Sequence, residues 1–364
     1  MLARMSRIAA VATAVPSHAY PQAEITRALA GRILPAGASR TTRALLDRFH
    51  AAAQVEQRHL ALPLEQYAQL DGFGPANDAF ISVGLDLGER VVSAALQKAG
   101  LAASDVDLIM AVSVTGIAAP SLDARLHSRL GLREDVRRIP VFGLGCVAGA
   151  AGVARLHEFL AGKPDGVAVL LSVELCSLTV QRDDTSTPNL VASGLFGDGA
   201  AAVVLVGEQR AAALPAAAVA GPQVVATRSR FYPDTEDVMG WDIGGSGFRI
   251  VLSTSVADVV QQYLGDDVKH FLADHDLGPT DIATWVAHPG GPKVLQAMQA
   301  ALTLPEGALD LTWRSLAAVG NLSSASVLHV LHDTIAQRPG APGEHGLMLA
   351  MGPGFCAELV LLRW

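Results

Sequence analysis

Residues 139–152 read IPVFGLGCVAGAAG and place Cys146 between a strand-like run and a helix-like run. The apolar residues before the cysteine predict a buried strand, and the small residues after it predict a helix that continues to about Leu160. A thiol at a helix N-terminus lies near the positive end of the helix dipole, which favours the thiolate. The neighbouring glycines let a substrate or another backbone segment come close. The sequence therefore predicts that Cys146 is a nucleophile.

The composition narrows the class of protein. With 364 residues, of which 50% are hydrophobic and 17% charged, the chain is long enough for two core-forming units or one large duplicated unit. The net charge of −8 and the lack of a Lys/Arg block argue against nucleic acid as a partner. The three cysteines have no CxxC spacing, so we expect neither a disulfide framework nor a metal site, and a reduced cytoplasm is the natural setting.

The N-terminal segment superficially resembles a signal peptide, because two arginines precede the apolar run 8–15. That run is short, and we interpret it as a first β-strand. No apolar run reaches the roughly 18 residues of a transmembrane helix, so we expect no transmembrane segment.

Strand-like and helix-like runs alternate along the chain, which predicts a layered α/β protein. The nearly continuous apolar runs typical of strands covered on both faces are 107–114, 166–173, 201–206, 284–287, 347–351 and 357–362. The runs with helical periodicity are 89–98, 148–160, 256–274, 293–302 and 324–337.

The chain also carries a pseudo-repeat with an offset of 176 residues. The pattern Val92…Leu96…Leu101-Ala-Ala-Ser-Asp105-Val106 matches Val268…Leu272…Leu277-Gly-Pro-Thr-Asp281-Ile282, and each copy reads helix, turn, strand. We therefore expect an N-terminal half over 1–210 and a C-terminal half over 223–364, with the Ala/Pro/Gly-rich residues 211–222 as a linker.

A cysteine nucleophile needs groups that polarise the carbonyl it attacks and manage protons. His288 follows a strand-like run and precedes Pro289-Gly290-Gly291, at the strand end where α/β sheets carry their sites. Asn321 lies in a loop of small residues that leads into a helix. Taken singly, the histidine could be an ordinary surface or core residue and the asparagine a helix N-cap.

Taken together, these residues resemble the Cys-His-Asn site of the type III polyketide synthases, the chalcone synthase-like family of thiolase-fold condensing enzymes. The resemblance covers essentially the whole chain. Its motifs are the Cys146 turn, Leu195-Phe196-Gly197-Asp198-Gly199-Ala200-Ala201, His288-Pro289-Gly290-Gly291, Gly320-Asn321-Leu322-Ser323-Ser324-Ala325-Ser326 and Met351-Gly352-Pro353-Gly354-Phe355.

The resemblance implies a thiolase fold with five layers, αβαβα, and two duplicated halves. It also implies an acyltransferase that is a homodimer and uses acyl-CoA and malonyl-CoA, with no metal or redox cofactor. In these terms Cys146 holds the acyl chain, while His288 and Asn321 bind the thioester carbonyl of malonyl-CoA as it loses CO2. The Gly352-Pro353-Gly354 segment is the active-site loop.

The same resemblance assigns gatekeeper, cavity and CoA-binding roles. Phe196 and Phe248 match two aromatic gatekeepers, for which ordinary core residues are the alternative. The positions that match cavity residues are Thr115, Ala119, Thr179, Met239 and Ser323. The candidates for CoA binding are Arg48, Arg58 and Lys293, for which solvated surface charges are the alternative.

For the substrate, segments 231–236 and 239–242 resemble those of bacterial alkylresorcinol and alkylpyrone synthases. They lead us to expect a long-chain fatty-acyl starter, extended by malonyl-CoA and then cyclised. The alternatives are a ketoacyl synthase III-like enzyme that condenses once, and a non-catalytic acyl-binding subunit of the same fold.

Overall fold

The computed structural model describes residues 5–35, 38–182, 184–219 and 221–364. The strands are β1 (Ser6–Ala14), β2 (His18–Pro21), β3 (Gln57–Leu60), β4 (Leu108–Ser113), β5 (Arg137–Phe142), β6 (Val167–Leu175), β7 (Asp198–Gly207), β8 (Gln223–Phe231), β9 (Met239–Gly244), β10 (Gly247–Leu252), β11 (Ile282–Ala287), β12 (His345–Gly352) and β13 (Cys356–Arg363). The helices are α1 (Gln22–Ile33), α2 (Arg40–Ala52), α3 (Phe73–Lys98), α4 (Leu122–Leu130), α5 (Ala148–Gly162), α6 (Thr187–Leu195), α7 (Glu208–Ala213), α8 (Val256–Ala273), α9 (Pro292–Leu302), α10 (Asp310–Val319) and α11 (Ser326–Gln337).

Most of the strands join one sheet, in the order β11-β12-β13-β8-β1-β7-β6-β4-β5. Strands β1 and β8 pair at only two positions, Ser6 with Val224 and Arg7 with Gln223. The sheet is therefore two half-sheets joined at one corner. The N-terminal half-sheet holds β1 and β4 to β7, and the C-terminal half-sheet holds β8 and β11 to β13.

Each central strand divides its side chains between two hydrophobic cores. In β6, Val169 and Leu171 face an outer core beneath α3, whereas Ala168 and Leu170 face a central core with α5 and α11. In β12 the central core receives Met348 and Ala350, and a second outer core with α8 and α9 receives the alternate residues. This alternation follows from the period of two in a strand. The expected order of five layers, αβαβα, is therefore confirmed.

The pseudo-repeat has the same local structure in both copies. The carboxylate of Asp105 accepts a hydrogen bond from the backbone N–H of Ala102 at 2.9 Å, and that of Asp281 accepts one from Gly278 at 2.7 Å. Each aspartate ends a 3₁₀ turn that joins a long helix to a strand. The match in sequence thus corresponds to a match in structure.

One expectation needs correction. The strand before Cys146 was expected to be buried, but β5 is the edge strand, and Ile139 and Phe142 are 41% and 43% exposed. Among the described residues only β4 pairs with β5, so one edge of this strand is open and its apolar side chains are partly exposed. The expected linker 211–222 is partly helical, with the end of α7 and a 3₁₀ turn over Ala216–Val219, while Ala220 lies outside the described residues. Within the described ranges, no helix has both the length and the apolar character that a membrane crossing needs.

Candidate active site

Cys146 lies in a 3₁₀ turn, Gly145–Val147, that leads directly into α5. Gly145 has a φ of +56°, and a Cβ there would lie 2.7 Å from Cδ of Pro353. A Cβ at Gly352 would lie 2.7 Å from the backbone nitrogen of Val147. The glycines at both positions therefore allow the Gly352-Pro353-Gly354 loop to lie directly against the cysteine turn.

A serine links Cys146 to Asn321. The Cys146 thiol donates a long hydrogen bond of 3.7 Å to Oγ of Ser323. Oδ1 of Asn321 accepts a hydrogen bond of 2.8 Å from the backbone N–H of Ser323. Among the described residues nothing accepts from the Asn321 Nδ2 group, so the fixed amide keeps a donor for a ligand.

His288 directly follows β11, and its backbone N–H donates to the carbonyl of Leu349 in β12 at 3.0 Å. Its side chain is 3% exposed, and both ring nitrogens are buried without a hydrogen-bond partner among the described residues. Buried polar atoms are rarely left unpaired, because the lost hydration costs about 1–3 kcal/mol. The two ring nitrogens of His288 are therefore free to form hydrogen bonds with a ligand.

Leu195 lies between the loop of His288 and Asn321 and contacts both. A Cβ at Gly291 would lie 3.4 Å from Cδ2 of Leu195, and the carbonyl of Leu195 accepts from the Asn321 backbone N–H at 2.9 Å. An isolated parallel β-bridge also joins Phe196 to Asn321. Segments of both halves thus enclose the region around the cysteine.

Burial disfavours each charge of a cysteine–histidine pair when it forms alone. It raises the pKa of the Cys146 thiol to about 12, an effect that the Ser323 hydroxyl partly opposes. It lowers the pKa of His288 to about 3. The helix N-terminus alone therefore does not favour the expected thiolate, because burial has the larger effect, and a thiolate there needs a neighbouring cation to offset the desolvation.

A small cavity of about 50 Å³ lies against Cys146. It is lined by six residues that the sequence had singled out: Thr115, Thr179, Phe196, Met239, Ser323 and Pro353. Sequence reasoning missed others in its wall, among them Cys176, Trp241 and Ile250. The indole N–H of Trp241 donates to the carbonyl of Val114 at 2.9 Å, which fixes this wall against the segment that follows β4.

A larger cavity of about 710 Å³ adjoins the small one. Thr115, Thr179 and Val180 line both cavities and so form the wall between them. Phe248 lines only the larger cavity, where it is 3% exposed, and its ring contacts those of Phe73, Phe142 and Trp241. The two predicted gatekeepers therefore face different cavities.

Four other predicted residues lie away from Cys146. Ala119 is exposed and lines neither cavity. Arg58 is 1% exposed, and its guanidinium donates to Oε1 of Gln22 at 2.9 Å and to the carbonyl of Phe196 at 2.8 Å. This burial excludes a phosphate, so Arg58 is removed from the CoA contacts and holds the fold instead. Arg48 and Lys293 are exposed, and both stay predicted contacts.

A buried carboxyl group also supports the site. Glu174 in β6 is fully buried and accepts hydrogen bonds from Val114 N, Thr115 Oγ1 and Ser324 Oγ. Burial raises the pKa of this carboxyl group, with the hydrogen bonds opposing the shift. Glu174 thus ties a cavity wall to the loop of Asn321. A single charged residue in the apolar run 167–175 was the signal that sequence reasoning overlooked.

Comparisons with known proteins agree with this arrangement. The family model "Chalcone and stilbene synthases, N-terminal domain" matches residues 3–209, and the corresponding C-terminal domain matches residues 223–364. The chain belongs to the chalcone and stilbene synthase family. It is a type III polyketide synthase, a condensing enzyme of the acyltransferase type, and such enzymes need no cofactor beyond their CoA thioester substrates.

Several members of the family are similar over most of their length. A 1,3,6,8-tetrahydroxynaphthalene synthase of Streptomyces peucetius subsp. caesius is 58% identical over 99% of this chain and 94% of its own. A 3,5-dihydroxyphenylacetyl-CoA synthase of Streptomyces toyocaensis is 31% identical over 98% and 90%. The crystal structure of the tetrahydroxynaphthalene synthase from Streptomyces coelicolor A3(2) has a TM-score of 0.90 at 29% identity, covering 98% of this chain and 99% of that one.

Proposed function

We propose that this enzyme uses malonyl-CoA as both starter and extender and closes the resulting short polyketide to 1,3,6,8-tetrahydroxynaphthalene. The observation that carries the proposal is the wall of the 710 Å³ cavity next to the small one beside Cys146, which carries three arginines and four other carboxylate or amide side chains. The 58% identity to a synthase of that name supports the same product.

The larger cavity also favours a polar chain over a fatty one. Its wall carries several charged and amide side chains: Arg32, Asp71, Asn77, Gln181, Arg182, Asp184 and Arg249. Burial of an alkyl chain is favourable against apolar surface, while a poly-β-keto chain carries a carbonyl on every second carbon that can accept hydrogen bonds. A chain that outgrows the small cavity would therefore meet a wall suited to a polyketide.

In this proposal Cys146, His288 and Asn321, which are all buried, have separate roles in the reaction. The Cys146 thiolate attacks the thioester of the starter and releases CoA. His288 and the free Nδ2 donor of Asn321 bind the carbonyl oxygen of the next malonyl-CoA. Loss of CO2 leaves an enolate whose oxygen these donors stabilise. The enolate carbon attacks the acyl group on Cys146, and the lengthened chain returns to the thiol for the next cycle.

The proposed reaction balances. Five malonyl-CoA molecules supply the ten ring carbons and release five CO2, five CoA and one water molecule. Each condensation forms a C–C bond as a C–CO2 bond breaks, without net oxidation or reduction. The carboxylate of the starter stays at the far end of the growing chain until its loss provides a carbanion for ring closure.

The CoA moiety would remain outside the cavity. We assign its phosphates to the exposed cations Arg48 and Lys293, of which the latter opens α9 directly after the His288 loop. Because the nucleophile is a thiol, a reduced cytoplasm is the proposed setting.

We also propose that the enzyme is a homodimer, as is typical of its family. Strand β5 ends the sheet with one edge unpaired, and Ile117, Ile139 and Phe142 expose apolar side chains nearby. An exposed apolar edge strand is a surface for a second chain. Ala119, one of the positions that match cavity residues of the family, is exposed in the same region. Sedimentation analysis of wild type and Phe142→Glu would test this surface, with a shift to monomer expected for the variant.

The substrate experiment gives the enzyme malonyl-CoA alone, or malonyl-CoA with fatty acyl-CoA starters of graded length, and identifies the products by mass spectrometry. We expect tetrahydroxynaphthalene, or its autoxidised quinone, from malonyl-CoA alone. Turnover that requires a long acyl starter would overturn the proposal and support the alkylresorcinol or alkylpyrone product expected from the sequence. A single added two-carbon unit would contradict both.

A further inference from the structure

Two arginines lie side by side in the wall of the 710 Å³ cavity. Arg32, in α1, donates from Nη1 to the backbone carbonyl of Tyr67. Arg182 donates from Nη2 to that same carbonyl at 3.4 Å, and to those of Ala68 and Leu70 at 2.6 and 2.8 Å. The two guanidinium groups therefore meet at one oxygen atom, although both carry a positive charge.

This arginine pair, Arg32 and Arg182, has no carboxylate counter-ion among the described residues. Asp71 and Asp184 line the same cavity, but neither forms an ion pair with the arginines. Nε of Arg32 is buried without an acceptor. Burial and the neighbouring Arg182 lower the pKa of Arg32 to about 10, which leaves it charged at neutral pH. The other terminal nitrogen of each guanidinium, Nη2 of Arg32 and Nη1 of Arg182, donates to no described residue, so two adjacent cations keep donors for an anion.

The arginine pair is connected to the reaction cavity through Tyr67. The carbonyl of Tyr67 accepts from both arginines, and its hydroxyl bonds to Oγ of Ser177 at 2.5 Å. Ser177 directly follows Cys176, which lines the cavity of Cys146. One tyrosine therefore spans the separation between the arginine pair and the wall of the reaction cavity.

We propose that Arg32 and Arg182 bind the terminal carboxylate of the acyl chain that grows on Cys146 and so select a starter with a free carboxyl group. The inference rests on the proposed function, in which the malonyl starter keeps its carboxylate at the far end of the chain. In this proposal the chain reaches the larger cavity past Thr115, Thr179 and Val180, which line both cavities. A planar guanidinium group can hold a carboxylate through two parallel hydrogen bonds, which a neutral alkyl or methyl end cannot accept.

The test separates this binding from polyketide synthesis. N-(ω-carboxyalkyl)iodoacetamides and the matching primary amides carry the same reactive group, and in each case the Cys146 thiolate displaces iodide to form a C–S bond. Alkylation rates are measured over a series of alkyl lengths by mass spectrometry of the Cys146 peptide, relative to plain iodoacetamide. Because only the remote end differs within each pair, the acid-to-amide ratio measures recognition of the carboxylate.

In wild type we expect this ratio to rise to about tenfold at one intermediate length, as a charge-assisted hydrogen bond predicts. In Arg32→Gln we expect the acid-to-amide ratio to fall to the value of the pair of compounds with the shortest alkyl chain. In Arg32→Lys we expect the ratio to be partly restored, because the positive charge remains. Arg129→Gln is the matched control. Arg129 lies outside the cavity and pairs with Asp86 at 3.0 Å and Glu89 at 3.3 Å, so its loss leaves the ratio unchanged.

A ratio that is flat with length in wild type, or that survives in Arg32→Gln, would overturn the inference. Thermal unfolding of each variant shows whether it is folded, since Arg182 also binds three carbonyls. If plain iodoacetamide leaves Cys146 unmodified, the proposed function fails. The anion site is then tested by calorimetric titration with adipate and with adipamide, and it requires that wild type, but not Arg32→Gln, prefers adipate.

Discussion

The sulfur of Cys146 lies 3.7 Å from the hydroxyl oxygen of Ser323, although 177 residues separate them in the chain. The first residue opens a helix of the N-terminal half, and the second lies in the loop of Asn321 in the C-terminal half. This contact requires that the helices α5 and α11 approach closely in the central layer. The active site therefore depends on the junction of the two halves.

We predict that Gly149→Ala destabilises the enzyme and lowers its activity. A Cβ at Gly149 would lie 2.3 Å from the carbonyl oxygen of Ser324 and 2.7 Å from Cγ1 of Val327. Relief of this overlap would separate α5 from the loop of Asn321, at a cost of about 1–3 kcal/mol. Chemical denaturation measures the change in the free energy of unfolding.

The matched control is Gly162→Ala in the same helix. A Cβ at Gly162 meets nothing within 4 Å, and alanine is the better helix former by about 1 kcal/mol. We expect unchanged or slightly higher stability. Equal losses for both substitutions would show that the close contact at Gly149 does not limit stability.

We predict that Asn321→Asp lowers the rate of malonyl-CoA decarboxylation by about 100- to 1000-fold. The aspartate keeps the oxygen that accepts from Ser323 N–H at 2.8 Å, but it loses the Nδ2 donor and adds a negative charge beside the developing enolate oxygen. Release of labelled CO2 reports this step. A rate within threefold of wild type would mean that another group binds the carbonyl.

We predict that His288→Gln raises the pH at which Cys146 becomes reactive. Burial raises the pKa of the thiol and lowers that of the imidazole, and we propose that the two groups become charged together. The imidazolium lowers the pKa of the thiol, and its removal leaves burial to raise it, by about one to three pH units. The rate of iodoacetamide labelling of Cys146 as a function of pH measures the midpoint. Coincident midpoints for wild type and variant would remove His288 from this role.

We predict that Lys293→Gln raises the KM for malonyl-CoA about three- to tenfold without changing kcat, because an exposed cation binds the phosphates in ground and transition state alike. The effect should diminish at high salt. Lys269→Gln, another exposed lysine, is the control and should leave KM unchanged. A fall in kcat alone would place Lys293 in a different role.

The sequence predicted the central strands and helices well because their residues carry a local signal. The apolar runs at 166–173 and 347–351 correspond to β6 and β12, which are covered on both faces. The same apolar pattern led to the wrong prediction that β5 is buried, because an apolar residue at an exposed edge, such as Ile139, cannot be distinguished in sequence from a core residue. Whether another element covers a strand depends on the fold and on partner chains, so it cannot be predicted from the residues of that strand alone.

The predicted site residues show the same limit. Thr115, Ser323 and Pro353 line the small cavity as expected, because the motifs that carry them are contiguous. Arg58 was expected at a phosphate, but its partners Gln22 and Phe196 are remote in sequence, so its burial could not be foreseen. Arg32 and Arg182 escaped notice for the same reason, since only the fold brings them to one carbonyl.

The most direct test identifies what Cys146 carries during turnover. Wild-type enzyme is mixed with malonyl-CoA, quenched within milliseconds to seconds and digested, and the Cys146 peptide is weighed; Cys146→Ala is treated in parallel. We predict acyl adducts on Cys146 that retain a carboxyl group and differ by successive two-carbon ketide units, while the variant forms no extended product but still decarboxylates some malonyl-CoA. Adducts on another residue, or extended product from Cys146→Ala, would contradict the account.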